Sequence, residues 1–329
     1  MSTHSKLAKV SAVLVLLAAA PDNHAAESAY PNKPVRLIVP FPPGGSADPL
    51  ARALGAWFAE KFGVPFVADN RPGAGTAIAH TLAAKAAPDG YTLILASSSG
   101  LSTNPAMGNK LDYDPLRDFS PVAMAAYVPQ LFVVHPAVPA KNMSELIDLA
   151  KAQPGKINFG TPGVGSVGHL TVALLNTTTP AKFTHVPYKG AGPAVIDLVG
   201  ARIQVFVGSV TGTQPQITAG RIRAIATGHS KRIRSMPDLP TVAETVPGFT
   251  NDGWYAVFGP ARLPAAIVDK LNAETKRALA NAELIKHIEL LGMEPTSGGT
   301  PQELREWVRS ELARWTKAAR DAGVQGQSG

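Results

Sequence analysis

Short apolar runs separated by helical patterns recur along the whole chain. Val35–Val39, Tyr91–Leu95, Gln130–Val134, Ile157–Phe159, Phe183–Val186, Ile203–Val207, Ile222–Ala226 and Tyr255–Phe258 have strand length and apolar character. Between them apolar residues return every three or four positions. From Asp48, with Pro49 in the first turn, Leu50, Ala53, Leu54, Trp57 and Phe58 share one helical face. A capping box with proline just inside it, "TPQE", begins at Thr300. Leu304, Trp307, Val308, Leu312 and Trp315 then recur at helical spacing, and the tryptophans read as core residues. This alternation predicts an α/β architecture with mostly parallel sheets.

The chain has 329 residues, enough for two α/β lobes. Proline marks two segments, 121–135 and 246–260, that read as two crossings between lobes. They would make lobe 1 discontinuous, residues 30–127 plus 250–329, with lobe 2 as residues 128–249. No internal repeat is evident.

The amino terminus stands apart. Lys6 and Lys9 precede an apolar run, Val10 to Ala20, of signal-peptide length and too short to span a bilayer. Cleavage between Ala26 and Ala29 is expected, which makes residues 1–28 a signal peptide and places the mature chain in the periplasm of a bacterium. Cysteine is absent, which excludes disulfides, thiolate nucleophiles and zinc–thiolate sites.

The formal net charge is +7. A basic soluble protein favours anionic ligands in general. The densest basic stretch, Arg221 to Arg234, has no interleaved aromatics and reads as a solvated edge, so no nucleic-acid partner is expected.

Glycine loops follow several of the predicted strands. Gly163-x-Gly165-x-x-Gly168 is a literal dinucleotide fingerprint. The strand after it, "FTHVPYKG", lacks the acidic residue that would take ribose hydroxyls. Neither this loop nor "PPGGSAD" carries the lysine of a phosphate-binding loop. Ser166 is not in a G-x-S-x-G elbow, and the eight histidines form no metal-ligand pattern. No cofactor is expected.

What remains is a series of strand-end loops rich in backbone N–H, hydroxyls and glycine: "PFPPGGSAD", "ASSSGLSTNP", "GTPGVGSVGH", "PYKGAGP" and "GSVTGT". Ligands of open α/β sheets bind beyond the carboxyl ends of strands, so these loops are expected to share one crevice. Neutral donors there would hold a carboxylate without burying a lysine or arginine beside it.

In order along the chain, "YPNKPVRLIVPFPPGGSADPLAR", "NRPGAG", "GTPGVGSVGHL", "HVPYKGAGPAVIDLVGARI", "AGRIRAIATGHSKR" and "GWYAVFGPARLPAAIVDKLN" resemble the Bug family of periplasmic binding proteins, the receptors of tripartite tricarboxylate transporters. The resemblance implies a two-lobed type II periplasmic-binding-protein fold with two crossing strands at the hinge. It also implies a ligand carboxylate gripped by the loops Phe41 to Asp48 and Gly160 to His169. The candidate ligand-binding residues are Phe41, Pro43, Gly44, Gly45, Ser46 and Asp48, then Ser97, Ser98, Thr103 and Asn104, then Thr161, Gly165, Ser166, His169, Tyr188 and Ser209. The chain departs from the family's pattern at Thr76 and Ala79, where glycines are common, and at Gln204 and Gly208, where aspartates are frequent. Gly208 would face the cleft and bear on the ligand's distal group.

Two functions follow from these residues. One is a monomeric solute-binding protein that delivers a small carboxylate to transporter membrane subunits or to a sensor kinase. The other is an exported α/β enzyme acting on a carboxylate or acyl compound. Only Asp48, His169 and Tyr188 are candidates for chemistry. Asp48 equally fits a helix cap or a water bridge, His169 a capping or packing role, and Tyr188 packing under its loop. A non-enzymatic receptor is therefore the expectation.

Overall fold

A computed structural model describes residues 30–326, so the expected signal peptide lies outside the described residues. The chain begins with β1 (Val35–Val39), α1 (Ala47–Phe62), β2 (Phe66–Asn70), α2 (Ala77–Ala84) and β3 (Thr92–Ser97). A π-helical turn at Ser99–Thr103 and the short α3 (Asn104–Ala106) lead to β4 (Phe119–Val128). Pro129 alone separates β4 from β5 (Gln130–Val134). Then come α4 (Met143–Ala152), β6 (Ile157–Thr161), α5 (Val167–Thr178), β7 (Phe183–Pro187), α6 (Ala191–Val199), β8 (Val205–Ser209), α7 (Val210–Thr218) and β9 (Arg223–Thr227). The chain returns as β10 (Gly253–Pro260) and ends with α8 (Ala265–Leu279), α9 (Ala282–Leu290), β11 (Glu294–Pro295) and α10 (Pro301–Asp321).

The strands form two sheets. One has the order β11-β4-β10-β3-β1-β2, the other β7-β6-β8-β5-β9. β1 runs parallel to β2 and β3, and β6 parallel to β7 and β8. β10 is antiparallel to β3 and β4, β11 to β4, and β5 to β8 and β9. The expectation of mostly parallel sheets is therefore corrected. The strands flanking the passages between sheets take their direction from the crossing, whereas a helix-linked β-α-β return enforces parallel pairing.

Local sequence accounts for the elements. In β1, Leu37 and Val39 enter one core and Ile38 another, so both faces are covered and the strand reads as a continuous apolar run. β5 behaves likewise, with Phe132 and Val134 on one face and Leu131 and Val133 on the other. Helix α1 buries Leu50, Leu54 and Phe58 and stops at Gly63, whose φ of 72° suits glycine and whose N–H reaches the Ala59 carbonyl. Both bonds of the Thr300–Glu303 capping box are present at the start of α10.

A fifth apolar cluster ties the two sheets' helices together. Trp315, Ala318 and Ala319 of α10 pack with Ala106 and Met107 and with Val167 and Leu170 of α5. Two further contacts join the same parts of the chain: Arg234 pairs with Glu289 at 2.7 Å, and the Thr211 hydroxyl donates to the Leu291 carbonyl.

Candidate functional site

A cleft of about 340 Å³ lies between the sheets. Loops from both contribute its walls, and the residues beside the two crossings, Val128, Gln130 and Gly253 to Tyr255, border it as well.

The loop after β1 brings Phe41 and Ser46 to the cleft. Phe41 packs edge-on against Tyr255, with ring centroids 5.9 Å apart, and the Ser46 and Tyr255 hydroxyls lie 3.2 Å apart. Pro43, Gly44 and Gly45 are exposed and are not among the residues lining the cleft; Gly44 turns the chain with a φ of 88°. Asp48 is off the wall too. It sits in the first turn of α1 with Arg52 one turn on, Nη2 to Oδ1 at 3.0 Å. Burial pushes this carboxyl group up, but hydrogen bonds from Arg52 and Asn70 outweigh that and hold it below the usual carboxylate range. Asp48 neither caps the helix nor faces the cleft.

At the end of β3, Ser97 accepts from the Gly100 N–H and Ser98 from the Trp254 N–H, each at 3.4 Å. Both line the cleft and retain a hydroxyl proton to donate. Thr103 turns away to donate to the Gly165 carbonyl at 2.9 Å, bridging the two sides. Asn104 lines the cleft with its amide engaged: Nδ2 donates to the Gly75 carbonyl at 3.3 Å and Oδ1 accepts from Asn109 at 2.6 Å.

The loop before α5 turns at Gly163 (φ 144°) and Gly165 (φ 75°). Ser166 is the N-cap of α5. Its Oγ accepts from the His169 N–H at 3.2 Å and donates to the Gly163 carbonyl at 2.6 Å, so its hydroxyl serves the loop although the residue borders the cleft. Thr161, His169 and Tyr188 stand behind this loop. Thr161 Oγ1 accepts from the Gly163 N–H at 3.4 Å and lies 2.7 Å from His185 Nε2. His169 Nδ1 accepts from the Gly165 N–H at 3.2 Å, and its ring stacks on His185 at 4.2 Å. Burial lowers both imidazoles, His185 to about 4, so the stacked pair is neutral at pH 7. The Tyr188 hydroxyl donates to Asp197 at 2.8 Å, and burial together with that bond pushes the phenol up to about 12. Thr161 and His169 brace the loop, Tyr188 is tied to Asp197 of α6, and none of the three is among the residues lining the cleft.

The cleft thus collects Phe41, Ser46, Ser97, Ser98, Asn104, Gly165, Ser166 and Ser209 from the candidates. Pro43, Gly44, Gly45, Asp48, Thr103, Thr161, His169 and Tyr188 lie beside or behind it. Gly208 is not among the residues that border it, and a Cβ added there would meet the Phe206 ring at 2.4 Å. The candidate residues did not include Gly75, the last residue of "RPGAG", or Thr76, named only as a departure from the family's pattern, or the crossing residues, all of which border the cleft. Thr76 holds an unusual φ of 79°, and its buried hydroxyl has no partner among the described residues. The signal for the crossing residues was topological: any cleft between two lobes must touch the strands that join them.

Among the described residues, no Asp, Glu, Lys, Arg or His lines the cleft. Its field comes from helix ends. The starts of α1, α5, α6 and α7 present Ser46, Val167, Ala191 and Ser209 to it. Each start leaves backbone N–H groups without intrahelical partners and carries roughly half a positive charge. Such ends hold an anion without a buried counter-charge.

Two α/β lobes around a neutral cleft rich in N–H groups define a two-lobed solute-binding protein. Residues 50–324 match the model of the tripartite tricarboxylate transporter family receptor. The chain is 36% identical to protein BugT of Bordetella pertussis over 302 residues, which cover 90% of this chain and 91% of that one. An R. palustris protein solved with adipate has a similar structure, with a TM-score of 0.80 at 37% identity over 89% of this chain and 98% of that one. MatC from Rhodopseudomonas palustris, solved with bound malate, gives 0.76 at 33% identity over 88% of this chain and 99% of that one. The chain belongs to this receptor family, the Bug proteins.

Proposed function

We propose that this chain is a periplasmic receptor that captures a small organic carboxylate between its lobes and hands it to the membrane subunits of a tripartite transporter. One observation carries this reading: four helix starts and several hydroxyls meet in a cleft whose described lining has no ionised side chain. That wall suits reversible capture of an anion and offers no acid–base pair for catalysis. Relatives solved with adipate and with malate support the ligand class. The charged-then-apolar amino terminus supports export. In this reading the receptor is a monomer. Its lobes, residues 30–127 with 250–329 and residues 128–249, hinge near Pro129 and residues 250–253, and ligand favours the closed form through contacts that only closure makes.

A thermal-shift screen of mono-, di- and tricarboxylates, aromatic acids and amino acids tests this. At a hundred times Kd a true ligand adds about 2.7 kcal/mol to stability. At least one carboxylate is expected to raise the midpoint saturably. A flat response to every acid would contradict the reading.

A further inference from the structure

Gln130 opens β5 directly after Pro129, lines the cleft and is 8% exposed. Its backbone carbonyl accepts from the Gly228 N–H at 2.8 Å, and the residue pairs with Ser209 across β8. Its side-chain Nε2 donates to the Val128 carbonyl at 2.9 Å. This bond sets the amide's orientation, because the flipped amide would press two carbonyl oxygens together. Oε1 therefore turns away from Val128. Among the described residues no donor reaches it, and it is not sealed from solvent.

Among the wall's other polar side chains, the Thr76, Ser99 and Ser209 hydroxyls can turn a proton towards a ligand, whereas an amide oxygen only accepts. Ser97 and Ser98 accept backbone N–H groups and keep a proton, Ser46 shares its hydroxyl with Tyr255, and Asn104 Oδ1 is taken by Asn109. Donors suit a carboxylate, but Oε1 does not. A carboxylate oxygen or bare methylene against it leaves an acceptor unpaired in a partly desolvated space, whereas a ligand hydroxyl satisfies it.

We propose that Gln130 determines specificity by selecting hydroxycarboxylates over their deoxy counterparts. The proposal rests on the carboxylate reading above. Calorimetric titration with matched pairs tests it: malate against succinate, lactate against propionate, 3-hydroxybutyrate against butyrate, citrate against tricarballylate. Wild type is expected to bind the hydroxylated member of at least one pair roughly tenfold more tightly. In Gln130→Met that ratio should fall towards one. Loss of the Nε2 bond to Val128 would weaken both members alike and leave the ratio unmoved, so the ratio separates recognition from hinge damage. Gln130→Asn, one methylene short, should narrow the ratio in the same direction and stands in if the methionine variant does not fold. A wild-type ratio near or below one, or a ratio unchanged in the folded variants, overturns the proposal and leaves the carboxylate reading intact. Failure of every pair and every screened acid to bind overturns both.

Discussion

Trp315→Ala is expected to lower stability by about 3–5 kcal/mol, the usual cost of removing a fully buried tryptophan side chain. Trp315 has no exposed surface and packs with Met107, Val167 and Leu170, while its indole N–H donates to Glu311 at 3.1 Å. Alanine leaves a cavity between α10 and α5 and deprives the buried Glu311 of a donor. At roughly 2–4 °C per kcal/mol for a domain of this general size, the midpoint should fall by about 6–20 °C in scanning calorimetry. Because α5 presents its first turn to the cleft, carboxylate affinity should weaken as well. A midpoint within 2 °C of wild type would show that α10 does not hold α5 in place.

Gly165→Val is expected to lower carboxylate affinity on the order of ten- to a hundredfold while the protein stays folded. Gly165 has a φ of 75°, where a β-branched residue is strained. The strain has no easy outlet. The Gly165 N–H is held by His169 and its carbonyl by Thr103, so relaxation must break one of those bonds and re-aim the loop. Gly45→Val is the matched control. Gly45 has no positive φ, and the nearest atom to an added Cβ is the Pro42 carbonyl oxygen at 3.9 Å. Titration of both variants with the screened ligand should show a loss for Gly165→Val and near wild-type binding for Gly45→Val. Unchanged affinity in folded Gly165→Val would remove this loop from the site.

The parts of the fold legible in sequence are those with strong local patterns. β1 and β5 have the expected bounds because unbroken apolar runs mark strands buried on both faces. The start of α10 was legible because its cap is chemical as well as periodic. β2, "FVADN", went unseen because only Phe66 is buried and the rest carries no strand pattern. The pairing of β4 with β10 was hidden by its sequence range: Gly253 meets Val128 across more than a hundred residues.

The candidate site divides in the same way. Its loops were visible as glycine and hydroxyl clusters after strands, but the destinations of their side chains were not. Ser166 caps α5, His169 braces Gly165 and Tyr188 reaches Asp197, three choices set by tertiary neighbours. Gln130 and Tyr255 were hidden inside apolar strands, where composition alone reads as core.

In the proposed function, neutral donors at helix starts grip a carboxylate because it is an anion. The most direct test titrates wild-type protein calorimetrically with the acid giving the largest thermal shift and with the primary amide of that same acid. Several charge-assisted bonds, each worth about 1.5–3 kcal/mol, disappear with the charge. Amide affinity is expected to be at least roughly a hundredfold weaker than that of the acid. An amide binding within about threefold of its acid would contradict it, because a hundredfold difference corresponds to about 2.8 kcal/mol of charge recognition.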